Sequence, residues 1–174
     1  MKGSGGKEKT LTPATAHPVP GDFFVRPMTE ADLEAVAAIE IENPSPWTAG
    51  QLAAERDQAG GWQFVAESSA SGRVCGFVCG RSCAGEAELL KIAVARADRR
   101  QGIAAQLVEH VLHYLAQQGV ECCFLELRAA NLPALALYER FGFRRVGLRK
   151  NYYASPPEDA ILMKKMGLSA SIKV

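Results

Sequence analysis

The stretch best equipped for chemistry is Arg99-Arg100-Gln101-Gly102-Ile103-Ala104, between an apolar strand ending at Val94 and a helix expected over about 102–118. A helix N-terminus presents unpaired backbone N–H groups and the positive end of the helix dipole, which suits a pyrophosphate. Gly102 lets the backbone approach an anion closely, Ala104 adds little bulk, and Arg99 and Arg100 add positive charge. First turns of helices normally favour acidic residues, so arginines there oppose the dipole unless an anion sits among them. An ordinary basic loop ahead of a helix has the same composition, so the loop alone leaves both readings open.

Two other groupings invite a metal reading. Cys75, Cys79 and Cys83 lie in or beside an expected strand over 73–81, where Cys75 and Cys79 share one face as small core residues. Structural zinc sites use tight spacers at turns and four ligands, and no His pair follows here. His110 and His113 stand three apart on the long helix without a supporting carboxylate. No metal is expected.

These residues need a scaffold. The chain has 174 residues, 48% of them hydrophobic and 7% aromatic, enough apolar surface for one aliphatic core. A formal charge of +1 gives no electrostatic reason for nucleic-acid or bilayer binding. No run approaches the ~20 apolar residues of a membrane span, and no signal peptide is expected. The five cysteines, two of them adjacent at Cys122 and Cys123, make a poor disulfide framework. A cytoplasmic, soluble protein is expected, with a monomer as the expected state.

Residues 1–22 are rich in Gly, Lys, Thr and Pro and read as a disordered tail; the domain is expected over 23–167, with a short C-terminal tail at 168–174. A strand at Phe23–Arg26 leads to a helix capped by Thr29, with Leu33, Val36, Ala37 and Glu40 on one face. Pro44 and Pro46 break it, and Thr48 with Gln51 forms a capping box for a second helix ended by Gly60-Gly61. Strand-like runs at 62–67, 73–81 and 86–94 suggest an antiparallel meander. The long helix follows, stopped by Gly119, then an apolar strand at Cys122–Leu127 and a helix over about 132–141, with Pro133 in its first turn. A final strand pair is expected at Phe143–Leu148 and Ala160–Lys165. Strand–helix–strand over 86–127 implies a right-handed crossover between parallel strands. The fold class is α/β: one domain with a mixed sheet flanked by helices.

Arg99-x-x-Gly102-x-Ala104 after Leu90-Lys91-Ile92-Ala93-Val94 resembles the acetyl-CoA motif of the GCN5-related N-acetyltransferase superfamily. Asn131-x-x-Ala134-x-x-Leu137-Tyr138-x-x-x-Gly142-Phe143 resembles its second cofactor motif. The resemblance covers 23–167. It departs from the pattern where Arg99 replaces a common glutamine and where Leu132-Pro133 follows Asn131.

The resemblance implies a splayed central sheet, with the strands of Ile92–Val94 and Phe124–Leu127 parting at their C-terminal ends. Acetyl-CoA, as co-substrate, would lie in the gap. Its pantetheine would pair with the backbone of Ile92, Ala93 and Val94, and its pyrophosphate would rest on Arg100, Gln101, Gly102, Ile103, Ala104 and Ala105, with Arg99 beside it. Asn131 and Tyr138 would reach it from the fourth helix. Strand alternation points Glu126 opposite to Leu125 and Leu127, so Glu126 would serve as base, directly or through water. Tyr138 would return a proton to the leaving thiolate. The rival route is an acetyl-cysteine at Cys122 or Cys123, which have no basic neighbour in sequence. Glu126 as a plain partner of Arg128 or another basic residue, and Tyr138 as a core aromatic, stay open.

Pro46-Trp47-Thr48, Leu125-Glu126-Leu127-Arg128-Ala129-x-Asn131, and Arg149-Lys150-Asn151-Tyr152-Tyr153 with Glu158-Asp159-Ala160 resemble the branch that acetylates protein N-termini, ribosomal alanine N-termini among them. By that resemblance Trp47, Tyr152 and Tyr153 would line the groove for the acceptor's first residues. A lysine or small-molecule acceptor, or a non-catalytic acetyl-CoA-binding subunit, are the alternatives.

Overall fold

The architecture turns on one seven-stranded sheet with strand order β1-β2-β3-β4-β5-β7-β6. It comes from a computed structural model that describes residues 23–168. The tail read at 1–22, and all of the C-terminal tail but Leu168, lie outside the described residues. Leu168 is buried and its N–H donates to the Glu121 carbonyl, so the packed unit reaches one residue past the expected boundary.

The strands are β1 (Phe23–Pro27), β2 (Gly61–Ser68), β3 (Val74–Cys83), β4 (Glu86–Val94), β5 (Cys122–Arg128), β6 (Arg144–Ala154) and β7 (Pro157–Met166). The helices are α1 (Leu33–Glu40), α2 (Ala49–Arg56), α3 (Ile103–Gln117) and α4 (Leu132–Arg140). β2, β3 and β4 form the expected antiparallel meander, and β4 pairs with β5 in parallel across the α3 crossover. Thr48 caps α2 as expected: its Oγ1 accepts from the Gln51 N–H at 3.2 Å, and its own N–H donates to Gln51 Oε1 at 2.9 Å. Thr29 opens a short 3-10 turn ahead of α1, its N–H and hydroxyl both donating to the Asp32 carboxylate at 2.8 Å.

Apolar side chains cover both faces of the sheet. Leu107, Val111 and Leu115 of α3 pack with Leu89, Leu125 and Leu127 on one face. Val36, Ile39 and Leu52 of α1 and α2 pack with Val65, Phe77 and Ala93 on the other.

Within the β2–β3–β4 meander two bulges depart from simple alternation. In β3 an extra residue at Cys75, between the pairs Ala66↔Gly76 and Glu67↔Val74, shifts the register. Cys75 therefore packs toward α3 and Cys79 toward α1 and α2, which corrects the expectation that they share a face. In β4 the pairs Cys79↔Lys91 and Gly80↔Leu89 leave Leu90 as the extra residue. Gly80 permits this close contact, since a Cβ there would meet the Trp62 ring and the Glu88 carbonyl at 2.2 Å each.

The final hairpin is longer than expected. β6 continues through Tyr153, with two extra residues between the pairs Arg149↔Ala160 and Tyr153↔Glu158. Asn151 takes φ 53° in this bulge, and its N–H donates to Asp159 Oδ1 at 2.8 Å. Tyr152 and Tyr153 thus sit on a bulged strand rather than in a loop.

Candidate active site

The bulge at Leu90 bends β4 away from β5. The two strands pair only from Glu86↔Cys122 to Leu89↔Leu125, although β4 runs on to Val94 and β5 to Arg128. Beyond Leu89, β4 follows β3, while β5 stays paired with β7 to its last residue. The gap widens into a cleft of about 420 Å³ whose walls include Ile92, Glu126, Asn131, Tyr138, Trp47 and Tyr153. Ala95 donates its N–H to Cys75, so alternation turns the backbone of Ala93 toward β3 and that of Ile92 and Val94 toward the gap. Extended backbone without a partner strand is a template for an extended ligand.

One end of the cleft leads to the arginine loop, which is firmly anchored. A 3-10 turn, Arg96–Asp98, buries Asp98, and Arg73 grips its carboxylate with both Nη atoms at 2.8 Å. That guanidinium holds the Asp98 carboxyl below the usual range. Arg99 donates from Nε to the Val94 carbonyl at 3.0 Å, and its Nη2 lies 3.7 Å from Glu42. Arg100 (φ 66°) and Gly102 (φ 85°) are both left-handed, and Ile103 then plugs the start of α3 into the core. A Cβ on Gly102 would meet nothing within 4 Å, so glycine serves the backbone angle there rather than space. The first turn of α3 has no acidic residue and no side-chain cap, so its amides face the loop's outer side unpaired by side chains. Gln101 precedes this turn, and Ala104 and Ala105 lie within it.

Glu126 and Tyr138 reach the gap from opposite faces of the sheet. Leu125 and Leu127 point into the α3 side of the core, and Glu126 therefore projects to the other face. Tyr138 comes from α4 on the α3 side, 3% exposed, its ring edge-on to Phe143 at 5.5 Å. Burial pushes its phenol well above the usual tyrosine value, so the hydroxyl keeps its proton. Glu126 pairs with Arg149, Nε to Oε1 at 3.1 Å, and not with Arg128. Asn131 caps α4, its Oδ1 accepting from the Ala134 N–H at 3.2 Å, so half of its amide is committed to the helix.

The other end of the cleft is built by three segments distant in sequence. Arg128 donates to the carbonyls of Ser155 and Pro156, to Ser45 Oγ and to Glu158 Oε2, all at 3.0–3.1 Å, and lies 4.1 Å from the Tyr153 ring centre. Trp47 is held by its N–H, which donates to buried Glu40, and by Lys91 at 5.3 Å from its ring centre. Glu40 is 1% exposed and paired with Lys91. Tyr152 and Tyr153 pack edge to face at 5.2 Å, and the Glu126 carboxylate beside it raises the Tyr152 phenol.

The pattern of the acetyltransferase (GNAT) family matches residues 29–143, well over half the chain. The chain belongs to the GNAT acetyltransferase family. It is 34% identical over 132 residues to the ribosomal protein bS18 alanine N-acetyltransferase of Escherichia coli K12, covering 73% of this chain and 87% of that one. It is 32% identical over 145 residues to the N-alpha-acetyltransferase RimI of Mycobacterium tuberculosis, covering 79% and 89%. The crystal structure of the ribosomal-protein-S18-alanine N-acetyltransferase from Escherichia coli superposes with a TM-score of 0.77 at 32% identity, over 85% of this chain and 95% of that one. The protein is an acetyl-CoA-dependent N-acetyltransferase, and its mixed sheet is the GNAT fold.

Within this GNAT domain the thiols are poor nucleophiles. Cys123 is buried and its thiol is pushed up to about 12; burial raises Cys122 as well. Neutral thiols argue against an acetyl-cysteine route. Cys79 is likewise raised to about 12. His110 packs edge-on to Phe64 at 4.6 Å, and His113 bonds Gln117 at 2.9 Å. Among the described residues no three His, Cys, Asp or Glu side chains cluster as metal ligands, and no helix is long and apolar enough to cross a membrane.

Sequence reasoning missed the part that five residues play. Lys91 had a signal, a lone charge inside Leu89-Leu90-Lys91-Ile92, and Glu40 is the buried partner that explains it. Asp98 and Arg73, 25 residues apart, and Arg128 as a clamp had none.

Proposed function

We propose that this N-acetyltransferase moves the acetyl group of acetyl-CoA to the N-terminal amine of a protein, the N-terminal alanine of a small-subunit ribosomal protein. The observation that carries the reading is the meeting of Glu126 and Tyr138 from opposite faces at the one gap where β4 and β5 part. Attack on a thioester needs a base on the side where the amine arrives and an acid on the side where the thiolate leaves. The named activity of the 34% identical Escherichia coli relative supports a ribosomal alanine acceptor.

The pantetheine arm lies along the gap-facing backbone of Ile92 and Val94; Ala93, expected to pair with it as well, spends its backbone on β3. The pyrophosphate rests on the amides of Arg100 to Ala105, with Arg99 lending charge from where it spans to Val94. Asn131 and Tyr138 flank the thioester end. An α-amino group with a pKa of ~7.7–8.0 is largely protonated at neutral pH, so Glu126 takes its proton directly or through water. The free amine attacks the thioester carbonyl carbon, a backbone N–H beside the β4 bulge steadies the oxyanion, the nitrogen gives its second proton to water as the intermediate collapses, and the C–S bond breaks. The coenzyme A thiolate takes the proton of Tyr138. Trp47, Tyr152 and Tyr153 hold the acceptor's first residues.

Mass spectrometry after incubation with acetyl-CoA tests this on three acceptors: a ribosomal alanine N-terminal peptide, a lysine peptide with a blocked N-terminus, and a polyamine. Transfer to the alanine N-terminus, abolished by Glu126→Gln, is expected. Transfer to lysine or polyamine alone moves the acceptor to those classes, and cofactor binding with no transfer makes the chain a binding subunit.

A further inference from the structure

Glu126 is already occupied by a cation. Arg149 Nε lies 3.1 Å from Glu126 Oε1, and it is the cation paired with Glu126 among the described residues. Arg128, two residues on and on the same face, is committed to Glu158, Ser45, Ser155 and Pro156. Arg149 is the last residue of β6 in register with β7 before the two-residue bulge, so its side chain leaves the strand where the ladder loosens. The Arg149 side chain is 53% exposed against 19% for Glu126, and its guanidinium carbon lies 5.3 Å from the Tyr152 ring centre. A second groove, of about 400 Å³, is lined by Arg149 and meets the cleft at Glu88 and Glu126. Glu88 has no ion-pair partner among the described residues and offers a displaced guanidinium another carboxylate.

We propose that Arg149 is an internal stand-in for the acceptor's ammonium: it fills the amine's place against Glu126 until the acceptor enters and displaces it. This rests on Glu126 as the base. A guanidinium suits the part because it keeps its proton at any working pH and so is not acetylated by the site it fills. The long side chain is anchored beside the cleft but mostly in solvent, so it leaves readily toward Glu88. The acceptor binds only the fraction of molecules in which Arg149 has left, which lowers its apparent affinity and favours acceptors with a strong cation at the reacting nitrogen.

Two variants test this. Arg149→Met removes the competitor, so the KM for an alanine N-terminal peptide falls about two- to six-fold, the effect an exposed ion pair of ordinary strength has as a competing equilibrium. A residue that instead grips the acceptor gives a higher KM on removal, and an inert one gives no change; either result overturns the proposal. Arg149→Lys puts a primary amine one bond beyond the present Nε. With acetyl-CoA alone, the ammonium gives one proton to Glu126, the free nitrogen attacks the thioester carbon, its second proton leaves to water, the C–S bond breaks, and the thiolate takes the Tyr138 proton. Peptide mapping is expected to find one acetyl group at position 149, absent in Arg149→Lys/Glu126→Gln. An unmodified position 149 in a preparation that acetylates the peptide refutes the stand-in. Full transfer by Glu126→Gln alone refutes the base assignment instead, so the two failures are distinct.

Discussion

Removing one oxygen atom, by Tyr138→Phe, separates acid catalysis from binding. The ring is 3% exposed and wedged against Phe143, while its hydroxyl has no hydrogen-bond partner among the described residues. The variant therefore loses no protein hydrogen bond, and its stability should change by less than about 1 kcal/mol. A positioned general acid contributes roughly 10²–10⁴-fold, so kcat should fall by that factor, about 2.7–5.4 kcal/mol of barrier. Titration calorimetry should find acetyl-CoA affinity changed by less than about 1 kcal/mol, because in the proposed mechanism the lost group acts on the leaving thiolate and not on the bound thioester. The raised phenol of Tyr138 adds a check on sign. The acid stays protonated as pH climbs, so the wild-type kcat profile should show no basic limb from Tyr138 below about pH 10. A parallel loss of kcat and affinity, or a kcat within about ten-fold of wild type, would refute the role.

Further outcomes follow from the anchors around the cleft. Arg128→Ala frees Ser45, Ser155, Pro156 and Glu158 together. It should cost about 2–4 kcal/mol in urea unfolding and raise acceptor KM more than acetyl-CoA KM. Arg26 grips the nearly buried Asp32 with both Nη atoms and draws its carboxyl down from 3.8 to about 2. Because the folded value is the lower one, this stabilisation is present above about pH 4 and is lost as pH falls through about 2. Linkage puts it at about 2 kcal/mol, so Asp32→Asn should lose that much at pH 7 and converge on wild type near pH 2 in denaturant titrations. The double variant Cys122→Ala/Cys123→Ala should keep its kcat and show no acetylated enzyme intermediate by intact mass; loss of transfer from a folded variant would revive the acetyl-cysteine route.

Local pattern carries much of this protein. The capping box at Thr48 and Gln51 involves neighbours along the chain, so residue type and spacing were enough to read it. The same holds for the alternation that sends Glu126 away from Leu125 and Leu127, and for the glycine that opens α3. The parallel pairing of β4 and β5 followed from the strand–helix–strand order and the handedness of crossovers.

The opening of the cleft was not legible that way. Leu90 is a bulge because Gly80, on another strand, leaves room against Trp62, and nothing in Leu89-Leu90-Lys91 announces it. The bulge at Cys75 likewise moved that residue to the other face of the sheet. Arg128 clamps Ser45 across 83 positions and Arg149 reaches Glu126 across the intervening strand β7, contacts that depend on register and on how far long side chains extend. Sequence alone determined which residues could do the chemistry and which element carries each, because periodicity and capping are local. Tertiary structure decided where β4 leaves β5, what Arg99 and Glu126 touch, and that Glu126 and Tyr138 meet from opposite faces, because those depend on bulges and ion pairs between strands far apart in the chain.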